Sequence, residues 1–245
     1  MIILNNWNEI GNAINTLKAN GLPLHSDPAK CWDFSNIRNT LIRNNIKFDA
    51  SIMDFGCGTS IYGAITLEFM RTMGYKKLLG VDLHVPQYAR LGASIRGWTK
   101  FREFMPYRLR SGDMNSIDLA NHSVDMVILL SVVEHGVDLD KMFSTLARIL
   151  KIGGIIYLST DYWHKEINVT ASLVASGACN NDPLSWTIFD PSSLSHMIAL
   201  ARKHGFCARG GAEIPACQES PVYWQGVNYT FIAIEFEKLQ WSCQP

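Results

Sequence analysis

Short, nearly unbroken apolar runs alternate along this chain with stretches in which apolar residues recur every three or four positions, the signatures of buried strands and amphipathic helices. Residues 51 to 55 (Ser51, Ile52, Met53, Asp54, Phe55) predict a first buried strand. Ile61, Ile65, Leu67, Phe69 and Met73 predict a helix over residues 60 to 73, which Gly74 ends. Residues 77 to 82 predict the next strand, closing a strand, helix, strand unit of the length a parallel pair requires. The basic, aromatic stretch from Tyr88 to Arg110 predicts a helix and a short third strand that ends at Ser111, Gly112, Asp113 and Met114. Residues 124 to 130 are apolar almost throughout, as a strand covered on both faces must be. Asp138 is placed to cap a helix whose Met142, Leu146, Ile149 and Leu150 share one face, with Gly153 and Gly154 closing it and residues 155 to 158 following as a strand. Asp190 and Pro191 open a further helix that runs to Gly205, and residues 229 to 236 form a long late strand.

This alternation runs from about residue 51 onwards and predicts an α/β fold with a Rossmann-like, doubly wound sheet of seven strands. Residues 1–49 stand outside it and are expected to form an N-terminal helical cap, or lid, on a main domain of residues 50–245. In such sheets ligands bind at the carboxyl ends of the strands. Gly56, Gly58, Asp82, Asp113 and Ser131 all fall at such ends and are expected to converge on one crevice.

Composition narrows the partners. Twenty-two basic residues balance 22 acidic ones without a block of like charge, which disfavours a nucleic-acid substrate. No apolar run is long enough for a membrane span. The start of the chain lacks the basic flank of a signal sequence. Cys31, Cys57, Cys179, Cys207, Cys217 and Cys243 show no metal-like spacing. A cytoplasmic protein with reduced thiols and no membrane contact is expected, with a homodimer left open.

The turn Asp54, Phe55, Gly56, Cys57, Gly58, Thr59 is the strongest chemical signal. Glycine there lets a cofactor lie against bare backbone and permits positive φ. Asp82, 24 residues beyond Gly58, stands at the separation from which a carboxylate reaches a ribose diol. Together with Gly112-Asp113-Met114, Asp125 and its apolar strand, Ser131-Val132-Val133-Glu134-His135, and Leu150-Lys151-Ile152-Gly153-Gly154, these residues resemble the class I S-adenosylmethionine-dependent methyltransferases, most of all the small-molecule, type 11-like group. The resemblance is dense over residues 50 to 160.

It implies S-adenosyl-L-methionine as cofactor. Asp54, Gly56 and Gly58 would line its methionine part with Cys57 beside them. Asp82 would bind the ribose with Leu83 next to it, Asp113 would accept from the adenine amino group with Met114 beside the ring, and Ser131 and Glu134 would close the cofactor floor. His135 is the candidate base, since a near-neutral imidazole at the crevice can take a proton as the methyl arrives. Its structural alternative is a backbone contact that shapes the loop. Tyr162 and His164, after the fifth strand, are candidate acceptor contacts. The aromatics of the loop after that strand, with Trp186 at its far end, are expected to wall a substrate pocket, the alternative being that Tyr162 and Trp163 cover the sheet edge. Asp161, His164 and Glu166 match no metal motif, and no metal is expected. His25 to Pro28 and Lys30 to Asp33 are candidate lid residues.

The reading is methyl transfer to a small polar acceptor, with oxygen methylation of a sugar or natural-product intermediate favoured because a neutral hydroxyl most needs a base. Two alternatives stand beside it. A non-catalytic binding subunit of the same fold would have no need of the intact Asp82 and glycines. A nicotinamide-dinucleotide oxidoreductase wants a third glycine where this chain has Ile61.

Overall fold

The computed structural model describes residues 1–58, 64–91, 107–167, 169, 186–211 and 213–240. Thr59, Ile61, most of the segment between Tyr88 and Arg110, Cys179 and Cys243 lie outside these residues.

Among the described residues nine strands form one sheet: β1 (Ile2–Ile3), β2 (Ser51–Phe55), β3 (Lys77–Asp82), β4 (Arg108–Ser111), β5 (Val124–Leu130), β6 (Leu150–Tyr162), β7 (Phe206–Ala208), β8 (Val222–Trp224) and β9 (Val227–Lys238). Seven of them lie in the order β1-β9-β6-β5-β2-β3-β4, and β7 and β8 add to β9. The pairs β3/β4, β2/β3, β2/β5 and β5/β6 are parallel, whereas β9 is antiparallel to β6. Chain order reverses between β2 and β5, the switch point where doubly wound sheets open a crevice for ligands.

Alternation along each strand assigns its side chains to two layers. Ile52, Met126, Ile128, Ile155, Tyr157 and Phe231 pack with α1 (Trp7–Ala19), α2 (Lys30–Arg43) and α3 (Ile65–Thr72) on one face. Met53, Phe55, Val127, Leu129, Ile156 and Leu158 pack with α4 (Leu139–Ile149) and α5 (Pro191–Lys203) on the other. Strands covered on both sides must be apolar at consecutive positions, which is why β5 is legible in the sequence.

The caps follow local chemistry. Asp138 accepts from the Lys141 amide at 3.1 Å, and Asp190 and Ser193 form a reciprocal capping box with Pro191 at the first turn of α5. The expected closure of α4 by Gly153 and Gly154 is not what occurs. The helix ends at Ile149, and Leu150 already pairs with Val124 as the first residue of β6. Gly153, at φ 74°, serves an irregularity inside that strand, where the register shifts between Val124 and Met126.

Residues 2 and 3 pair with Ala233 and Ile232 of β9 at the edge of the sheet. The two N-terminal helices share their buried face with the strands: Phe34 stacks on Phe69 of α3 at 4.4 Å, and the Tyr157 hydroxyl donates to Asp33 Oδ1 at 3.0 Å.

Candidate functional site

The ends of β2, β3 and β4 are tied together by backbone contacts that shape the crevice. The amides of Gly56 and Cys57 both donate to the Val81 carbonyl, at 2.8 and 3.2 Å, and the Gly112 amide donates to the Asp82 carbonyl at 2.9 Å. Gly56 has φ 65°, and a Cβ on it would stand 2.5 Å from Val132 Cγ2. Any other residue is therefore both strained and obstructed there. This contact presses the glycine turn of β2 onto the loop after β5, across the switch point.

Gly58, at φ 56°, differs: a Cβ built on it meets nothing within 4 Å. Its open side is a place where a ligand can approach bare backbone. Its amide donates to Asp82 Oδ2 at 3.0 Å, which joins the two expected cofactor residues directly. Leu83, next in the chain, is 67% exposed, an apolar side chain left in solvent beside that carboxylate. Asp113 is exposed and caps its own turn through the Asn115 amide at 2.8 Å, with Met114 half-buried beside it. Asp54 lies beneath the turn, 1% exposed, and its Oδ2 has no hydrogen-bond partner among the described residues. Burial first and the charge of Asp82 second push its carboxyl up to about 8, against the pull of Thr66. Burial likewise pushes the Cys57 thiol far up, which removes it as a nucleophile.

These features fit S-adenosylmethionine. An exposed apolar face beside Asp82 suits an adenosine, bare backbone at Gly58 suits a close-lying chain, and an orphaned buried carboxylate oxygen suits the cofactor's cationic amino group.

A second group of residues forms on the β5 and β6 side of the switch point. Ser131 takes φ 52°, and its amide donates to the Ser159 carbonyl at 2.9 Å. Glu134, in a short 3-10 turn Val133–His135, is 1% exposed and accepts from Thr160 Oγ1 at 3.0 Å. His135 is half-buried, and its amide donates to the Val132 carbonyl at 3.1 Å. Asp161 closes the group from β6, with Trp186 Nε1 donating to its Oδ2 at 2.8 Å. Burial, then the neighbouring Glu134 charge, push the Asp161 carboxyl up to about 7.

The three candidate catalytic residues are not brought together. Tyr162 points to the opposite face from Asp161 and is buried among the side chains of α4 and α5, with burial pushing its phenol up to about 12. His164 places Nδ1 3.1 Å from the sulfur of Cys217 and stacks obliquely on Trp163 at 4.5 Å. Only His135 stands beside the Glu134 and Asp161 pair. Asp125 sits at the opposite end of the sheet, holding the Ser51 amide at 2.8 Å and Lys151 at 2.6 Å.

Lys30, expected only as one of several candidate lid residues, makes contacts that the sequence does not foretell. From the first position of α2 it donates to Ser131 Oγ, 101 residues away, and lies 3.5 Å over the centroid of the Phe231 ring. No local pattern marks it. Asp161 carried a usable signal, a charge ending a strand buried on both faces, the same reasoning that singles out Asp82.

Comparison with known proteins agrees with this arrangement. A family described as a methyltransferase domain matches residues 53–158. The chain is 27% identical over 160 residues to an arsenite methyltransferase of Aquipseudomonas alcaligenes, covering 63% of this chain and 43% of that protein. It thus spans less than half the length of that relative. An S-adenosylmethionine-dependent methyltransferase of Methanosarcina mazei superposes with a TM-score of 0.57 at 17% identity, over 81% of this chain and 97% of that one. A geranyl diphosphate C-methyltransferase of Streptomyces coelicolor, solved with Mg2+, geranyl diphosphate and S-adenosyl-L-homocysteine, does so at 0.54 and 15%, over 89% and 86%. Residues 53–158 thus match a methyltransferase domain, and the fold is that of the S-adenosylmethionine-dependent methyltransferases among the solved structures.

Proposed function

We propose that this protein binds S-adenosyl-L-methionine across the ends of β2, β3 and β4 and transfers its methyl group to a small polar acceptor held at the ends of β5 and β6. The observation that carries this reading is the direct contact of the Gly58 amide with Asp82, which sets bare backbone and a ribose-binding carboxylate side by side at a switch point. Gly56 shapes the methionine end, Asp54 faces its amino group, and Leu83, Asp113 and Met114 border the adenine. When bound, the cofactor supplies an already activated methyl, so the protein's part is alignment and proton removal.

Ser131 and Glu134 lie on the acceptor side of Val132, the residue that packs on Gly56. They are read as the boundary between the two ligands. The acceptor is taken to be a sugar or natural-product intermediate methylated on oxygen, with His135 as the base that accepts the hydroxyl proton. Residues 1–49 act as the lid, because α2 lays Lys30 onto this boundary and helps to keep water out. A small-molecule acceptor suits the even charge balance.

Calorimetric titration with S-adenosyl-L-homocysteine and, separately, with NAD tests the reading. Binding of the first and not the second is expected. Absence of binding by S-adenosyl-L-homocysteine would sink it, and methyl transfer to no acceptor despite tight binding would favour the non-catalytic binding subunit.

A further inference from the structure

Where α2 crosses the carboxyl ends of β5 and β6, three buried carboxylates meet one ammonium. Asp33 is 0% exposed, Glu134 1% and Asp161 5%. Lys30 Nζ donates to Ser131 Oγ, stands 3.7 Å from Asp33 Oδ2 and covers the face of Phe231. Each acid has one oxygen well held: Asp33 by the Tyr157 hydroxyl, Asp161 by the Trp186 indole, Glu134 by the Thr160 hydroxyl. Glu134 Oε1 is equally buried and has no hydrogen-bond partner among the described residues.

A buried carboxylate oxygen without a donor is costly, and a buried excess of negative charge more so. What is missing is one more positive group that brings N–H donors. A hydroxyl would bring one donor and no charge, whereas an ammonium brings up to three donors and the charge. The walls suit one. Lys30 already shows an ammonium resting on an aromatic face here, and Trp186 and Tyr229 meet edge to face at 5.6 Å beside Asp161. Ser131 and His135, both half-buried, are the neighbours of the pair that reach solvent.

We propose that the site between Ser131, Glu134 and Asp161 binds a protonated amine carried by the methyl acceptor. This rests on the methyltransferase reading and narrows its acceptor to an amino-bearing polar molecule, such as an amino sugar or an amino alcohol. Glu134 Oε1 takes one N–H of the ammonium, and Asp161 supplies the second negative charge. The charged and titratable groups that act on this pair are Lys30 from α2, His135 after β5 and Tyr229 from β9, and behind them Asp33 faces Lys30, Tyr157 and Asp27. As pH rises through about 7 Asp161 gives up its proton. Ordinary alkyl ammoniums remain charged there, so amine binding strengthens over that interval.

The test is calorimetric titration of the S-adenosyl-L-homocysteine-saturated protein with matched probes, glucosamine against glucose and ethanolamine against ethylene glycol. In at least one pair the amine is expected to bind at least about tenfold tighter than its neutral partner. Glu134→Gln is expected to abolish that preference at saturating S-adenosyl-L-homocysteine. Equal binding of the neutral partners, binding by none of the amines, or a preference that survives Glu134→Gln overturns the proposal. A wild-type protein that fails to bind S-adenosyl-L-homocysteine counts against the methyltransferase reading instead, and the same probes added to the cofactor-free protein then decide the amine site separately.

Discussion

The backbone amide of Gly58 donates to the carboxylate of Asp82 at 3.0 Å, joining the ends of two neighbouring parallel strands from positions 24 residues apart. The contact orients the carboxylate that is read as the ribose partner, and it holds the glycine turn open. Replacing Asp82 with Ala removes a charge-assisted hydrogen bond together with the ribose contact. A loss of about 1.5–3 kcal/mol in binding is expected, roughly ten- to a hundredfold in the dissociation constant for S-adenosyl-L-homocysteine. Calorimetry measures it, and unchanged affinity would remove Asp82 from the site.

Gly56 and Gly58 predict different penalties. Gly56→Ala puts a methyl 2.5 Å from Val132 Cγ2 as well as forcing positive φ, and a destabilisation of about 2–4 kcal/mol is expected. Gly58→Ala carries the φ penalty alone, about 1–2 kcal/mol, yet fills the open side where the cofactor is proposed to lie. Adding Val132→Ala should recover part of the stability lost in Gly56→Ala and none of that lost in Gly58→Ala. Denaturant midpoints of the four variants check this, and equal recovery in both backgrounds refutes the packing assignment.

Asp54 should leave a mark on the pH dependence of stability. Its carboxyl stands at about 8 in the folded chain against an ordinary value of 3.8, because it is buried and beside Asp82. Between those values the folded protein keeps a proton that the unfolded chain releases, so stability falls as pH rises through the interval. Asp54→Asn removes that decline. Its melting temperature is expected to exceed that of the wild type at pH 8 by a few degrees and to differ much less at pH 5. A similar shift at both values would mean that Asp54 is charged in the fold.

The charge of Lys30 acts on all three of the buried acids Asp33, Glu134 and Asp161. Lys30→Met leaves those acids uncompensated, at a cost of about 3 kcal/mol. The loss should be larger at pH 8 than at pH 6, since protonation of Asp161 relieves the repulsion on the acid side of about 7. Thermal unfolding at the two pH values reads the difference directly. A loss independent of pH would assign Lys30 to packing on Phe231 alone.

The central strands, the N-terminal caps of two helices and the glycine turn were legible in the chain, because each is written in residues close together. The apolar run of β5 records burial on both faces. Asp138 and Asp190 accept from amides three positions on, and Pro191 starts its helix with no amide of its own to satisfy. The two glycines announce a backbone that side chains cannot follow. The paired ends of β2 and β3 could be foreseen as well, since a strand, helix, strand unit has one favoured way to close.

Other features depended on contacts between distant segments. Lys30 reaches Ser131 because α2 packs across β6, and nothing in the order of residues around Lys30 encodes that meeting. Tyr162 and Asp161 are neighbours in sequence, yet the pleat sends one into the apolar layer under α4 and α5 and the other toward Lys30 and Trp186. The N-terminal segment joined the sheet through Ile2 and Ile3, too short a run to read as a strand without its partner β9. Local pattern fixes which face of an element is buried, but the charges that meet across a buried face follow from how the elements pack, and in this protein that packing brought Lys30 to the buried acids Asp33, Glu134 and Asp161.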